Sequence, residues 1–83
     1  MESKTDHSLD LRGTIPPISL LKVCQVFRAM ETDETLEILG RDPDTRKDIF
    51  KVLPASAYEL IVSEELDEAD ASYRLQIRKK GNF

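Results

Sequence analysis

The sequence is poor in the residues that disulfides, metal sites and nucleophilic catalysis require. It contains one cysteine, Cys24, and one histidine, His7, among 83 residues. A single cysteine forms no disulfide within the chain, so a reducing compartment is expected. His7 has no second metal ligand at a useful spacing, and we interpret it as a solvated residue of the N-terminal tail. No metal site and no cofactor are therefore expected.

Long apolar runs and an excess of basic residues are also lacking. Residues 1–8 are polar and contain no signal-peptide core, and no segment approaches the length that spans a membrane. The 12 basic and 16 acidic residues are interspersed and give a net charge of −4, which argues against a nucleic-acid footprint. We expect a cytoplasmic protein without membrane association. The chain is long enough for one domain, residues 1–83, with flexible tails at residues 1–8 and 80–83.

A short strand, a glycine turn and a helix start follow one another near the N-terminus. Leu9 and Leu11 alternate with charged residues, which is the period of a strand with one buried face. Gly13 permits a sharp turn, and Pro17 suits the first position of a helix. Because Pro16 has no side-chain oxygen, this helix start is predicted to be uncapped and electropositive.

The rest of the chain alternates between the helical and the extended period. The apolar positions of the first helix, over residues 17–30, are Leu20, Leu21, Val23, Cys24, Phe27 and Met30. The second helix has Asp42 as its cap, Pro43 in its first turn, Ile49, Val52 and Leu53 on its buried side, and Pro54 at its end. The inward residues of the other three strands are Leu36 and Ile38, then Tyr58, Leu60 and Val62, then Tyr73, Leu75 and Ile77. The acidic residues 64–70 are interpreted as a solvated hairpin connection.

This order predicts an α+β two-layer sandwich, β-α-β-α-β-β, in which a four-stranded mixed sheet carries two helices on one face. The first two strands are parallel and each leads into a helix at the same edge of the sheet. The two helix starts should therefore be neighbours, at the kind of edge where open α/β sheets bind ligands.

Three motifs resemble the TusA/SirA-like sulfur-carrier family. They are Leu-Asp-Leu-Arg-Gly at residues 9–13 before a helix-opening proline, Asp42-Pro43, and Asp48-Ile49. The resemblance covers residues 9–79. It implies a small α/β sandwich, and proteins that pass a cysteine persulfide from a cysteine desulfurase to downstream acceptors.

The sequence departs from this family at the residue that carries sulfur. The family pattern is Cys-Pro-x-Pro, and here Pro16 takes the place of the cysteine and Ser19 that of the second proline. No catalytic residue is therefore assigned. Cys24 lies about 12 Å further along the helix, and we interpret it as an apolar-stripe residue. Ser19 has no activating base and is interpreted as a surface or capping serine.

Three functions remain after this comparison. The favoured one is a non-catalytic, partner-binding or regulatory relative of the sulfur carriers, which docks a protein such as a cysteine desulfurase or another relay component, or an anion. The residues predicted for that surface are Arg12, Gly13, Thr14, Pro16, Pro17, Ser19, Arg41, Asp42 and Asp44.

The second function is an active sulfurtransferase, which uses Cys24 or in which Pro16 stands for a native cysteine. The third is a nucleic-acid-binding module that uses Arg12, Arg74 and Arg78 on the open face of the sheet. Acidic residues on the same face, and the lack of an outward aromatic residue, argue against it.

Overall fold

The order of the secondary-structure elements is the predicted one. The computed structural model describes residues 5–15, 17–67, 69 and 71–81. In chain order the elements are β1 (His7–Asp10), α1 (Ile18–Ala29), β2 (Thr35–Gly40), α2 (Pro43–Val52), a 3-10 turn (Ala55–Ala57), β3 (Tyr58–Asp67) and β4 (Ser72–Lys79). Neither α-helix is long and apolar enough to cross a membrane, within the part of the chain that is described.

The four strands form one mixed sheet in the order β1-β2-β4-β3. β1 pairs with β2 in parallel, whereas β4 pairs with β2 and with β3 in antiparallel orientation. Both helices pack on one face of this sheet, so the predicted α+β two-layer sandwich is confirmed. The buried apolar residues between the layers are Leu11, Val23, Phe27, Met30, Leu36, Ile38, Ile49, Leu53, Tyr73, Leu75 and Ile77.

The buried faces of the helices match the predicted stripes in part, since Val23, Phe27, Met30, Ile49 and Leu53 are buried as predicted. In α1 the fully buried residues are Ser19, Val23 and Phe27, and Cys24 is half-buried on the flank of that stripe. The interpretation of Ser19 as a surface or capping serine is therefore wrong. In α2, Val52 is 41% exposed although the pattern placed it in the core, because the helix ends there and the chain turns away.

The pairing of β3 with β4 contains a β-bulge that the sequence pattern did not predict. Leu60 lies opposite Ile77, whereas Val62 lies opposite Gln76. Because residues that lie opposite each other share a face, Val62 faces the open side of the sheet, and the predicted one-sided alternation through Val62 is wrong. β3 also continues to Asp67, so the first part of the predicted acidic connection belongs to the strand.

The ordered chain is longer at both ends than predicted. β1 begins at His7, whose Nε2 lies 2.9 Å from Oε1 of Glu34, so His7 is a half-buried strand residue and not a solvated tail residue. At the other end, the Lys80 N–H donates to a carbonyl of the 3-10 turn, 2.9 Å away. The remaining parts of the two tail predictions include residues 1–4 and 82–83, which lie outside the described residues.

Candidate functional site

The starts of the two helices lie side by side, as the parallel pairing of β1 and β2 predicts. Both strands end at the same edge, where β1 leads through a turn into α1 and β2 leads directly into α2. A cavity of about 40 Å³ lies between the two helix starts. Its lining consists of Leu11, Arg12, Thr14, Ser19, Gly40, Arg41, Asp42, Thr45 and Tyr73.

The hydroxyl groups beside α1 are hydrogen-bonded to each other and to the backbone. Thr14 Oγ1 donates to the Leu11 carbonyl at 2.9 Å and lies 2.8 Å from Ser19 Oγ. Because the single Thr14 hydroxyl proton is used on Leu11, Ser19 is the donor of the second bond. The Ser19 hydroxyl thus holds the turn against the helix and is not poised as a nucleophile.

The two helix starts differ in how their free N–H groups are satisfied. Asp42 caps α2, because its Oδ1 accepts from the Asp44 N–H and its Oδ2 from the Thr45 hydroxyl, each at 3.0 Å. By contrast, Pro17 provides no side-chain cap for α1, and the first turn of α1 contains no acidic residue. The predicted lack of a side-chain cap at the start of α1 is confirmed, although the Ser19 N–H donates to the Ile15 carbonyl at 3.0 Å.

Tyr73 reaches the cavity from β4 with its hydroxyl buried. Among the described residues, Tyr73 Oη has no hydrogen-bond partner. Burial and, to a lesser extent, the nearby charge of Asp42 together raise the pKa of Tyr73 to about 12, and Arg46 opposes the shift. The Arg46 guanidinium lies 5.6 Å from the centre of the Tyr73 ring. The cavity floor is therefore a neutral hydroxyl at physiological pH.

An ion pair closes the side of the cavity next to β1. The Arg12 guanidinium binds the Asp10 carboxylate in a bidentate manner, with Nε to Oδ1 at 2.9 Å and Nη2 to Oδ2 at 2.7 Å. The Arg12 backbone N–H also donates to Oδ1, at 3.0 Å. These hydrogen bonds hold the pKa of Asp10 well below its usual range. The turn between β1 and α1 is fixed by this pair.

The structure brings together part of the predicted partner surface. Five of the predicted residues line the cavity: Arg12, Thr14, Ser19, Arg41 and Asp42. Three others are exposed around it and do not line it: Gly13, Pro17 and Asp44. The remaining predicted residue, Pro16, lies outside the described residues.

Four lining residues were missing from the predicted surface: Leu11, which was predicted only as a strand residue, and Gly40, Thr45 and Tyr73. Thr45 follows the Asp42 cap by three residues, a position where a hydroxyl meets the cap, and this spacing was a usable signal. Gly40 at the end of a strand signals close approach of another group. The identity of that group, Tyr73, follows from the pairing of β2 with β4.

An exposed apolar ridge flanks the cavity at the start of α1. It consists of Ile15, Ile18 and Leu21, which are 66%, 48% and 58% exposed. Ile18 and Leu21 are three residues apart in α1 and therefore lie on one side of the helix. Three large apolar side chains grouped in this way are typical of a protein contact surface.

Cys24 is not part of this site. It lines a different cavity, together with residues from the C-terminal ends of α1 and α2, and so lies at the opposite end of the helix pair. Within the described residues, no group of three or more histidine, cysteine, aspartate or glutamate side chains is arranged to hold a metal ion.

The basic residues on the open face of the sheet are paired with carboxylates. Arg74 binds Glu37 and Glu64, each at 3.0 Å, and Arg78 binds Glu59. These ion pairs join β2, β4 and β3 across the open face. Guanidinium groups neutralised in this way weigh against a phosphate-binding surface.

Comparisons with known proteins agree with this architecture. A SirA-like protein from Desulfitobacterium hafniense has a crystal structure that superimposes with a TM-score of 0.68 at 17% sequence identity. The similarity covers 90% of this chain and 99% of that protein. At this identity the structural match establishes the fold.

The family assignment rests on the sequence itself. The family model described as sulfurtransferase TusA matches residues 7–79. That range contains both helices, all four strands and every residue that lines the cavity between the helix starts. The chain belongs to the TusA sulfurtransferase family.

Proposed function

We propose that this chain binds a protein partner of the sulfur relay through the surface at the helix starts, and that it carries no persulfide there. The observation that carries the proposal is the proline at residue 16, where the resemblance to the family places the sulfur-carrying cysteine. A persulfide requires a thiolate, and proline offers neither sulfur nor another nucleophile. The proposed compartment is the cytoplasm, which the single cysteine favours.

The surroundings of residue 16 support a docking role. Ile15 and Ile18 of the apolar ridge lie within two positions of residue 16 in the sequence, and both are about half exposed or more. Burial of such side chains by a partner contributes about 1.5–3 kcal/mol each when it is complete. The uncapped start of α1 and the Arg12–Asp10 pair provide polar groups at the rim of the same surface. This combination of an apolar centre and a polar rim is typical of protein interfaces.

Other side chains near the helix starts do not replace the missing thiol. Ser19 donates its proton to Thr14, and no histidine or carboxylate of the described residues is bonded to its hydroxyl. Asp42 is occupied as the cap of α2. The local chemistry therefore favours recognition over group transfer.

The first experiment tests for sulfur on the chain. The protein and a Pro16→Cys variant are incubated with a cysteine desulfurase and cysteine, and mass spectrometry then measures a gain of sulfur that a reductant removes. We expect no gain for the natural sequence and a gain for Pro16→Cys. Sulfur on Cys24 of the natural sequence would support the alternative of an active sulfurtransferase and overturn the proposal.

The second experiment tests the docking surface independently of sulfur. Binding of a desulfurase or relay protein is measured for Ile18→Glu and Leu21→Glu, each of which adds one negative charge to the apolar ridge. Ser56→Glu adds the same charge at the exposed 3-10 turn and is the matched control. We expect at least a tenfold loss of affinity for the two ridge variants and little change for the control. Equal affinity in all three would exclude the ridge as the interface.

A further inference from the structure

A second cavity of about 350 Å³ lies at the opposite ends of the two helices. Its lining consists of Cys24, Phe27, Arg28, Val52, Leu53, Pro54 and Lys79. The first three residues come from the last turns of α1, the next three from the end of α2, and the last from the end of β4. Its volume lies in the range of about 300–1,000 Å³ that is usual for small-molecule sites.

The floor of this cavity is apolar. Phe27 and Leu53 line it and are buried members of the core, and Val52, which also lines it, is 41% exposed. Among the described residues, none that is acidic lines the cavity. Its lower part therefore suits the hydrocarbon portion of a ligand.

Two cationic side chains, Lys79 and Arg28, lie at the rim, and they differ in their hydrogen bonds to the rest of the chain. Lys79 Nζ donates to the carbonyls of Phe27 and Met30, each at 2.9 Å, which offsets the negative end of α1 and leaves one N–H of the ammonium group. Arg28 makes no hydrogen bond or ion pair with any residue that the structure describes. Its charge is therefore not offset by a carboxylate of the described chain.

The local charge is opposite to that of the whole chain. The chain has a net charge of −4, yet the described residues that line this cavity include two basic residues and no acidic one. We propose that the cavity binds a small amphipathic carboxylate, with its hydrocarbon body on Phe27 and Leu53 and its carboxylate at Arg28. Since the cavity is remote from the helix starts, this binding is independent of the proposed partner docking.

Charge complementarity selects this occupant over a neutral apolar one. A guanidinium binds a carboxylate through two parallel hydrogen bonds, which fixes the orientation of the ligand. The remaining N–H of Lys79 adds a second donor on the same rim. A neutral alcohol of equal length would fill the floor and leave Arg28 unpaired.

Cys24 provides a reporter for occupancy, because it lines this cavity and is the single cysteine of the chain. The experiment measures the rate at which iodoacetamide alkylates Cys24 in the folded protein, while decanoate is added below its micelle concentration. We expect saturable protection, with alkylation at least fivefold slower at the plateau. The concentration of decanol that gives half-maximal protection of Cys24 should be at least tenfold higher than that of decanoate. Acetate should not protect Cys24.

Two variants separate the proposed contact from a general effect of charge. Arg28→Gln removes the rim cation and should raise the half-protecting decanoate concentration at least fivefold. Lys22→Gln removes one positive charge from an exposed position of α1 that does not line the cavity. It should leave the half-protecting decanoate concentration unchanged. Backbone amide chemical shifts of Val52 and Leu53, followed by NMR in the same titration, provide a readout that does not depend on thiol reactivity.

Three results would overturn the proposal. The first is that decanoate, up to its solubility limit, neither slows the alkylation of Cys24 nor changes the chemical shifts of Val52 and Leu53. The second is that decanol and decanoate protect Cys24 equally at the same concentration. The third is that Arg28→Gln has the same half-protecting decanoate concentration as the unmodified protein. Equal protection would identify an apolar groove without preference for an anion. An unchanged response in Arg28→Gln would place the carboxylate elsewhere.

Discussion

The hydroxyl of Tyr73 occupies the space that a side chain at residue 40 would need. Gly40 and Tyr73 lie opposite each other in the pairing of β2 with β4. A Cβ atom added to Gly40 would overlap the Tyr73 hydroxyl and the adjacent ring carbons. Gly40 does not have a positive φ, so glycine is required here for space and not for backbone conformation.

Gly40→Ala is expected to destabilise the protein by about 1–3 kcal/mol, the usual effect of overpacking. The Tyr73 side chain is almost fully buried and its ring also lies 5.6 Å from the Arg46 guanidinium, so it cannot move without loss of packing. Urea unfolding followed by circular dichroism measures the change.

Gly13→Ala is the matched control for that substitution. No atom lies within 4 Å of a Cβ placed at Gly13, and its φ is not positive. We expect a change within about 0.5 kcal/mol. An equal loss of stability in the two variants would show that contact with Tyr73 does not explain the effect at residue 40.

Tyr73→Phe removes a buried hydroxyl that has no partner among the described residues. Removal of an unpaired buried polar group is expected to raise stability by up to about 1 kcal/mol at neutral pH. Guanidinium chloride unfolding at pH 7 measures this change. A loss of more than about 1 kcal/mol would show that the hydroxyl has a hydrogen-bond partner outside the described residues.

The same variant tests the titration of Tyr73. Its pKa is raised from 10.0 to about 12 in the folded state, so the unfolded chain releases this proton first as the pH rises. The contribution of the neutral phenol to the free energy of unfolding is fully present below pH 10. It is lost as the pH rises towards and through 12, and the total loss is up to about 3 kcal/mol. Stability measured between pH 9 and 12 should fall more steeply for the natural sequence than for Tyr73→Phe. Parallel curves would contradict the burial of the phenol.

The sequence predicts the order of the elements but not their rotation. In α1, apolar residues occupy the flanks as well as the buried stripe, because Leu20, Leu21 and Cys24 have the same spacing as the core residues. Several rotations of the helix therefore satisfy the pattern equally well. The buried stripe includes a serine, Ser19, because the neighbouring Thr14 hydroxyl satisfies it.

The bulge and the cavity depend on contacts between distant parts of the chain. Residues 60–62 are all apolar, so the sequence allows either face of β3 to be buried and conceals the register shift. Tyr73 and Gly40 meet only because β4 inserts between β2 and β3. By contrast, the Asp42 cap and the adjacent helix starts follow from local residue types and from parallel pairing, and both were predicted correctly.

Asp42→Ala tests the cap of α2. The substitution removes the acceptor of two hydrogen bonds, from the Asp44 N–H and the Thr45 hydroxyl, and leaves the buried Thr45 unsatisfied. We expect a loss of about 1–2 kcal/mol in the free energy of unfolding. Asp48→Ala, in the same helix beyond its first turn, is the control and should cost less than about 0.5 kcal/mol. Similar losses in both variants would indicate a general effect of charge instead of capping.

Lys79→Met tests how the end of α1 is held against the sheet. The ammonium group donates to the carbonyls of Phe27 and Met30 and lies 5.0 Å from the centre of the Phe27 ring. Methionine retains most of the aliphatic stem but removes the charge and both hydrogen bonds. Because the Phe27 carbonyl also accepts from the Met30 N–H, the loss concerns mainly the Met30 carbonyl. We therefore expect a decrease of about 1–3 kcal/mol in the free energy of unfolding.

Lys80→Met provides the matched control for Lys79→Met, since it removes the same charge from the next residue. The Lys80 side chain is exposed, and its backbone N–H bond to Ala57 does not depend on the side chain. Its stability should change by less than about 0.5 kcal/mol. Hydrogen exchange at the amides of the last turn of α1 distinguishes the two variants further, because local fraying should follow only from the loss of Lys79. Equal exchange in both variants would mean that the helix end is held by core packing alone, without a contribution from the ammonium group.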